Sequence, residues 1–329
     1  MWIFYIPISI HILILAFRYG GIRQLSAINP CMPNGGLVDS NKAGNLLAIQ
    51  ADLPETVAKT GLLRAELPAS LAKLDEVMTE LELSFPIILK PNSGQRGMGV
   101  SVIDDSTDAE RYLTTYKDTD ILVQEYVDGE EFGVFYMREP SSPNGFVFSI
   151  THKLFPKMTG DGTSTLERLI LEDPRAHYMA RFLLKQHAEQ LERIPEKGEQ
   201  IEMVEIGSHC RGSVFIDANA YLTPVLEARI DEISKAISGY YYGRYDLRVS
   251  SIDALKQGKD IKIIEANGLT SESTDIYDPK NSLIDAYKVV FRQWHLAFKI
   301  AKQNRINGER VSSYREILSS VRSLNRGPS

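Results

Sequence analysis

Cysteine is scarce in this chain: two in 329 residues, Cys31 and Cys210, far apart and neither in a CxxC pair. That argues against a disulfide framework and a cysteine-based zinc site, and it fits a reducing compartment. Cys210 lies between His209 and Arg211 and is expected to be a tolerated thiol rather than a reactive one. An excess of positive charge is also missing. The formal net charge is −6, whereas coating nucleic acid needs clustered Lys and Arg. The chain contains no Gly-Lys-Ser/Thr loop, no GxGxxG, no convincing Ser-His-Asp set and no internal repeat. What remains is a globular mixture, 43% hydrophobic and 24% charged, long enough for two domains or one large one.

Residues 1–17 (MWIFYIPISIHILILAF) hold no Asp, Glu, Lys or Arg, and Arg18 and Arg23 follow. A run of this length is at the lower limit for a bilayer-spanning helix. It lacks the basic start and small-residue cleavage site of a signal peptide. The positive charges after it place the bulk of the chain on the cytoplasmic side. The expectation is a membrane anchor, spanning or interfacial, over residues 1–19; the alternative is a buried element of the fold. Residues 20–40, rich in Gly, Pro, Asn and Ser, read as a linker.

The segment GRYDLRVSS, a turn-like stretch, then IKIIEANG predicts two antiparallel neighbouring strands. Residues two apart in a strand share a face, so Arg244 pairs with Asp246 and Glu265 with Asn267. If the faces coincide, two carboxylates, one amide and one guanidinium converge. Asp246, Glu265 and Asn267 offer the hard oxygen ligands that Mg²⁺ takes, and Arg244 would steady charge developing in phosphoryl transfer. A solvent-facing polar hairpin is the plain alternative. The small polar loop that follows, Gly268–Thr274, favours a ligand edge.

Upstream, Lys90 ends an apolar strand and leads into NSGQRGMGV. Gly94, Gly97 and Gly99 permit close backbone approach to phosphate oxygens, with Ser93 at the entrance. The strand ending in Gln124 and Glu125, followed by Val127 and Glu131, can offer backbone groups to a purine edge and a carboxylate to ribose hydroxyls.

In this order the stretches FPIILKPNSGQRGMGV, LVQEYVDGEEFGV, GDGTSTLERLI, GRYDLRV and IIEANG resemble the ATP-grasp superfamily. The likeness is nearest the D-alanine–D-alanine ligase and cyanophycin synthetase branches and covers roughly residues 41–303. The resemblance implies an α+β fold, two α+β subdomains clasping ATP, here over 41–123 and 124–305 with a polar tail from 306. By the resemblance Lys90, Ser93, Gly94 and Gly97 hold the nucleotide phosphates. Gln124, Glu125 and Val127 line the adenine and Glu131 holds the ribose. Asp246, Glu265 and Asn267 bind two Mg²⁺ (Mn²⁺ being a possible substitute), with Arg244 on the transferred group. Lys42 is a candidate for the family's earlier nucleotide lysine, and Lys153 or Lys157 for a γ-phosphate contact. His209 and Arg211 are candidates for a substrate anion.

The reaction so implied is ATP- and Mg-dependent carboxylate–amine ligation through an acyl phosphate, forming an amide or peptide-type bond. Its substrates would be small and amino-acid-like, with no nucleic acid involved. Its site would be a cytoplasmic domain attached to the inner face of a membrane. A small-molecule kinase and a non-catalytic nucleotide-binding membrane protein are the alternatives. Ligases of this kind usually carry a sizeable substrate-binding domain before the core, and here about 40 residues stand before it. Glu272 and Ser273 stand where relatives bind a substrate carboxylate, and Glu272 has the charge for an amine instead.

Overall fold

The computed structural model describes residues 2–37, 41–64, 71–92, 99–117, 119–155, 157–174, 176–203 and 213–324. In chain order the helices are α1 (Trp2–Tyr19), α2 (Lys42–Asp52), α3 (Leu71–Glu80), α4 (Ser106–Thr115), α5 (Leu166–Glu172), α6 (Ala176–Gln186), α7 (Pro224–Ala236), α8 (Ile252–Lys256), α9 (Leu283–Ile306) and α10 (Tyr314–Leu324). The strands are β1 (Thr60–Leu63), β2 (Ile87–Pro91), β3 (Ser101–Ile103), β4 (Ile121–Glu125), β5 (Glu130–Met137), β6 (Phe146–Leu154), β7 (Lys157–Thr159), β8 (Gln200–Glu202), β9 (Val214–Asp217), β10 (Tyr242–Val249) and β11 (Lys262–Ala266). The chain divides into two compact units, one of residues 1–152 and 217–329, the other of residues 153–216.

Unit one holds two sheets. The smaller has the order β1-β4-β2-β3 and is antiparallel throughout. Its core joins Leu74, Met78 and Leu113 of α3 and α4 to Ile87, Leu89, Ile121 and Val123. Helix α4 starts cleanly because the Asp105 carboxylate accepts from the N–H groups of Thr107 and Asp108, satisfying free first-turn donors. The larger sheet runs β11-β10-β5-β6. The two sheets meet where Ala58 N–H donates to the Ile263 carbonyl, 3.0 Å away.

Strand β5 reads as a continuous apolar run because both of its faces are covered. Phe132, Val134 and Tyr136 pack with Leu46 and Ile49 of α2 and Leu226, Ile230 and Ile233 of α7. Phe135 and Met137 point the other way, into a cluster with Leu15 and Ala16 of α1 and Ala297, Phe298, Ile300 and Ala301 of α9. One end of that second face is therefore roofed by helices, and the polar residues lie towards the other end. At the entry to β5, Gly129 has φ +117°, and a Cβ there would come within 2.2 Å of the Val249 carbonyl oxygen. Only glycine makes that turn without moving β10.

Unit two pairs β7 with β8 and packs Met158, Leu166, Ile170, Leu183, Ile201 and Met203 together. Helix α5 is capped by Thr165, whose hydroxyl accepts from Arg168 N–H, while the preceding Thr163 and Ser164 serve the turn before it. Those two donate their N–H groups to the Asp161 carboxylate.

The spanning form of the N-terminal anchor finds no support here. No helix among the described residues is long and apolar enough to cross a membrane. Helix α1 lies along α9 instead, with Ile8, Leu15 and Ala16 buried, Phe4 stacked on Tyr287 and His11 on Phe291. Burying side chains such as Ile8 and Leu15 stabilises by about 1.5–3 kcal/mol each. Residues 20–37 are not a free connector either. Leu25, Ala27, Ile28 and Met32 are buried. The Asn29 amide accepts from the N–H groups of Tyr241 and Tyr242 and donates to the Tyr242 carbonyl. Polar and glycine-rich composition signals irregular backbone, and here that backbone is packed, with side-chain amides meeting its needs.

Candidate active site

The predicted strand pair forms. β10 and β11 are antiparallel with Asp246 opposite Glu265, and the register shifts immediately after that pair. The connection expected to be a turn is the short helix α8. Arg244 Nε donates to Asp246 Oδ1 at 2.8 Å, as residues two apart on one face should. The Asn267 amide lies 3.5 Å from Asp246 Oδ2. Gly133 of β5 sits opposite Asp246, and a Cβ there would meet the Arg244 side chain at 3.1 Å. Its missing side chain makes room for the Arg244–Asp246 pair.

Two lysines reach this pair. Lys42, in the first turn of α2, bonds Glu265 Oε1 at 2.7 Å. Lys90, at the end of β2, donates to Gln124 Oε1 and to the Ile264 carbonyl, each at 2.9 Å. Burial lowers Lys90 to about 8, against the pull of Glu265. Burial pushes the Glu265 carboxyl up, but Lys42 and Lys90 outweigh burial and the repulsion of Asp246 and hold it below its usual value. Arg244 stays firmly charged: burial opposes its charge, and Asp246 and Glu265 more than restore it.

Arg248 escaped the sequence reading. It continues the 244, 246 alternation on β10, bonds Glu131 at 3.3 Å and donates from Nη1 to the Val127 carbonyl at 2.6 Å. Its signal in the sequence was the third charged residue of GRYDLR. The structure brings Lys42, Lys90, Gln124, Glu131, Arg244, Asp246, Arg248, Glu265 and Asn267 to the region where the two sheets of unit one adjoin. Glu125 faces the other way, its carboxylate accepting from Lys59 N–H and lying 3.5 Å from Lys262. Lys153 is buried at the start of unit two and Lys157 begins β7 there. Ser93, Gly94, Gly97, His209, Cys210 and Arg211 lie outside the described residues.

On the loop after Asn267 the Glu272 backbone carbonyl accepts from Arg244 Nη1 at 3.2 Å. The Glu272 carboxylate accepts hydrogen bonds from Tyr277 and, at 3.2 Å, from Tyr5 of α1. Burial raises its pKa, and the two tyrosines and Arg244 only partly offset this. Gly36 of the packed N-terminal segment braces the same loop, since a Cβ on it would come 2.8 Å from the Gly268 Cα.

Among the described residues no group of three or more His, Cys, Asp or Glu side chains is set to hold a metal ion. The candidate set is two carboxylates and an amide, a donor chemistry that suits Mg²⁺ completed by water and phosphate oxygens. As described, those carboxylates are engaged by Lys42 and Arg244.

Residues 42–135 match the family described as the RimK-like ATP-grasp domain. That match takes in the candidate site residues from Lys42 to Glu131. Over 179 residues it is 23% identical to the glutathione biosynthesis bifunctional protein GshAB of Streptococcus agalactiae, covering 48% of this chain and 23% of the relative. Over 260 residues it is 22% identical to the cyanophycin synthetase of Geminocystis herdmanii, covering 71% and 28%. The chain thus spans about a quarter of the length of these curated relatives. A crystal structure of D-alanine–D-alanine ligase from Bacillus anthracis aligns at 17% identity with a TM-score of 0.48, covering 84% of this chain and 70% of that one.

Proposed function

We propose that the chain is an ATP-dependent carboxylate–amine ligase working through an acyl phosphate. The observation that carries this reading is the Asp246–Glu265 pair flanked by Lys42, Lys90 and Arg244. Two carboxylates among fixed cations suit a polyphosphate and its metal, and two of the relatives bear the names cyanophycin synthetase and D-alanine–D-alanine ligase. A substrate carboxylate oxygen attacks the γ-phosphorus, ADP leaves, an amine attacks the acyl carbon, and phosphate leaves with loss of a proton. Such catalysis is mostly positioning and charge neutralisation. Lys90 would hold phosphate oxygens, and Glu131 and the Val127 region the nucleoside. Arg244 would meet the transferred group. Mg²⁺, held by Asp246, Glu265 and Asn267, would neutralise phosphate charge when bound. The reading places the enzyme's work where ATP and magnesium are present, in the cytoplasm, on small amino-acid-like substrates.

The purified protein is expected to release ADP from Mg-ATP with a matching carboxylate and amine from pools of amino acids, amines and small acids. Hydroxylamine should trap the activated acid as a hydroxamate. A phosphorylated product without amide would favour the kinase reading, and no Mg-dependent turnover with any pool would sink both.

Glu272 fits the amine side. It is a carboxylate with no lysine or arginine side chain bonded to it among the described residues, and it adjoins Arg244. Burying it uncompensated is costly, and a substrate ammonium would repay that. Glu272→Gln is expected to raise KM for the amine about 10- to 100-fold, the size of a charge-assisted contact, with KM for ATP unchanged. An unaltered amine KM would remove Glu272 from the site.

A further inference from the structure

Helix α1 has two apolar faces. One packs on α9. On the opposite arc Ile3, Ile6, Ile10, Leu13, Ile14 and Phe17 are 80, 56, 54, 64, 60 and 93% exposed. At 100° per residue these six fall within about a quarter of the helix circumference. Together they present on the order of 700 Å² of apolar surface, above the 300–600 Å² of a typical monomer's largest patch.

We propose that this face is the dimer interface of the protein and that its occupant is α1 of a second copy. The area approaches the ~800 Å² that each partner gives a stable interface. Ile3, Ile6, Ile10, Leu13 and Phe17 repeat at intervals of three and four, the spacing with which one helix meshes its side chains into another. The seam carries no charge, and Arg18 lies just beyond its C-terminal end. An antiparallel two-fold pairing separates the two Arg18 side chains and sets the helix dipoles head to tail. A parallel pairing would bring the two arginines together. In the antiparallel arrangement the axis passes Ile10, with Ile3 opposite Phe17 and Ile6 opposite Ile14 of the second copy. A lipid surface is the poorer match. A helix lying in a bilayer interface turns a charged face to water, whereas the far side of α1 is buried in protein and Arg18 is its one basic residue.

The arrangement has a consequence for the site, because Tyr5 on the inner side of the same helix bonds Glu272. Pairing through the outer face would hold the helix that closes the Glu272 loop.

Sedimentation velocity of the full chain without detergent should give twice the monomer mass. Leu13→Glu and Ile10→Glu, at positions more than half exposed, should return it to the monomer mass with an unchanged far-UV spectrum and melting temperature. Ile10→Cys should give a linked dimer on mild oxidation, beyond any background from the parent chain. A wild-type monomer at all concentrations overturns the proposal, and so does a dimer that persists in both glutamate variants. A monomer that co-sediments with phosphatidylcholine–phosphatidylglycerol vesicles also overturns it and assigns the face to lipid. None of these readouts depends on the ligase reading.

Discussion

Glu265→Gln is expected to abolish ligase turnover, lowering ADP release by at least ~10²–10³-fold, the loss seen when one preorganised electrostatic group is removed from a transition state. The carboxylate sits directly opposite Asp246 and carries the ion pair with Lys42. Glutamine keeps the shape and an oxygen that accepts from Lys42, but it removes the negative charge. The fold should survive. A charge-assisted hydrogen bond becomes an ordinary one, a loss of about 1 kcal/mol, and relief of repulsion with Asp246 offsets part of it. The checks are ADP release against Mg²⁺ concentration and a thermal melt of the same preparation. Near-normal turnover in a folded variant would refute the metal assignment at Glu265, and with it the role given to Asp246 and Asn267.

Lys90→Met should separate binding from stability. Lys90 is buried, and its ammonium is bonded only to neutral acceptors in the hydrogen bonds described above. Methionine keeps the stem and removes a buried charge. Gln124 can still donate to the Ile264 carbonyl, from which it lies 3.3 Å. The melting temperature should therefore change by no more than a few degrees. Nucleotide affinity should fall about 10- to 100-fold, the equivalent of losing one charge-assisted contact of about 1.5–3 kcal/mol.

The pH dependence gives a second, independent signature. The folded-state value of about 8 lies below the ordinary 10.5. Between those values the unfolded chain binds the extra proton, so Lys90's contribution to stability rises with pH across that window. ATP acts in the opposite sense. Phosphate oxygens favour the charged lysine, so affinity should weaken as pH rises above about 8. Both slopes should vanish in Lys90→Met. A variant that binds a fluorescent ATP analogue as well as wild type at every pH would remove Lys90 from the nucleotide site.

Much of the site was legible in the sequence because strand alternation and short connections are local properties. GRYDLR and IIEAN place side chains two apart on one face whatever surrounds them, and the observed pair β10–β11 follows. Lys90 was legible for the same reason, at the end of an apolar strand before a glycine-rich loop. What stayed hidden depended on partners distant in the chain. Lys42, a candidate by resemblance alone, is 223 positions from its partner Glu265. Arg248 looked like one more charge on a hairpin until β5 brought Glu131 beside it. Tyr5, 267 positions from Glu272, sat within an apolar run that hydropathy alone assigns to lipid.

The N-terminal 37 residues show where local reading stops. An uncharged apolar run describes a membrane helix and a helix buried against another equally well, since both need only an apolar surround. Which surround is present is a tertiary fact. Here α9 covers one side, and Asn29 ties the glycine-rich stretch after α1 to the edge of β10. By itself the sequence determined the order of the motifs that resemble the ATP-grasp superfamily and the strand pair carrying Arg244, Asp246, Glu265 and Asn267. Both rest on near-neighbour spacing and pleat. Only the tertiary structure brought Lys42 to Glu265 and Arg248 to Glu131, and laid α1 along α9 with Tyr5 against Glu272. Ion pairs and hydrogen bonds act over a few ångströms of space, and sequence separation does not measure that distance.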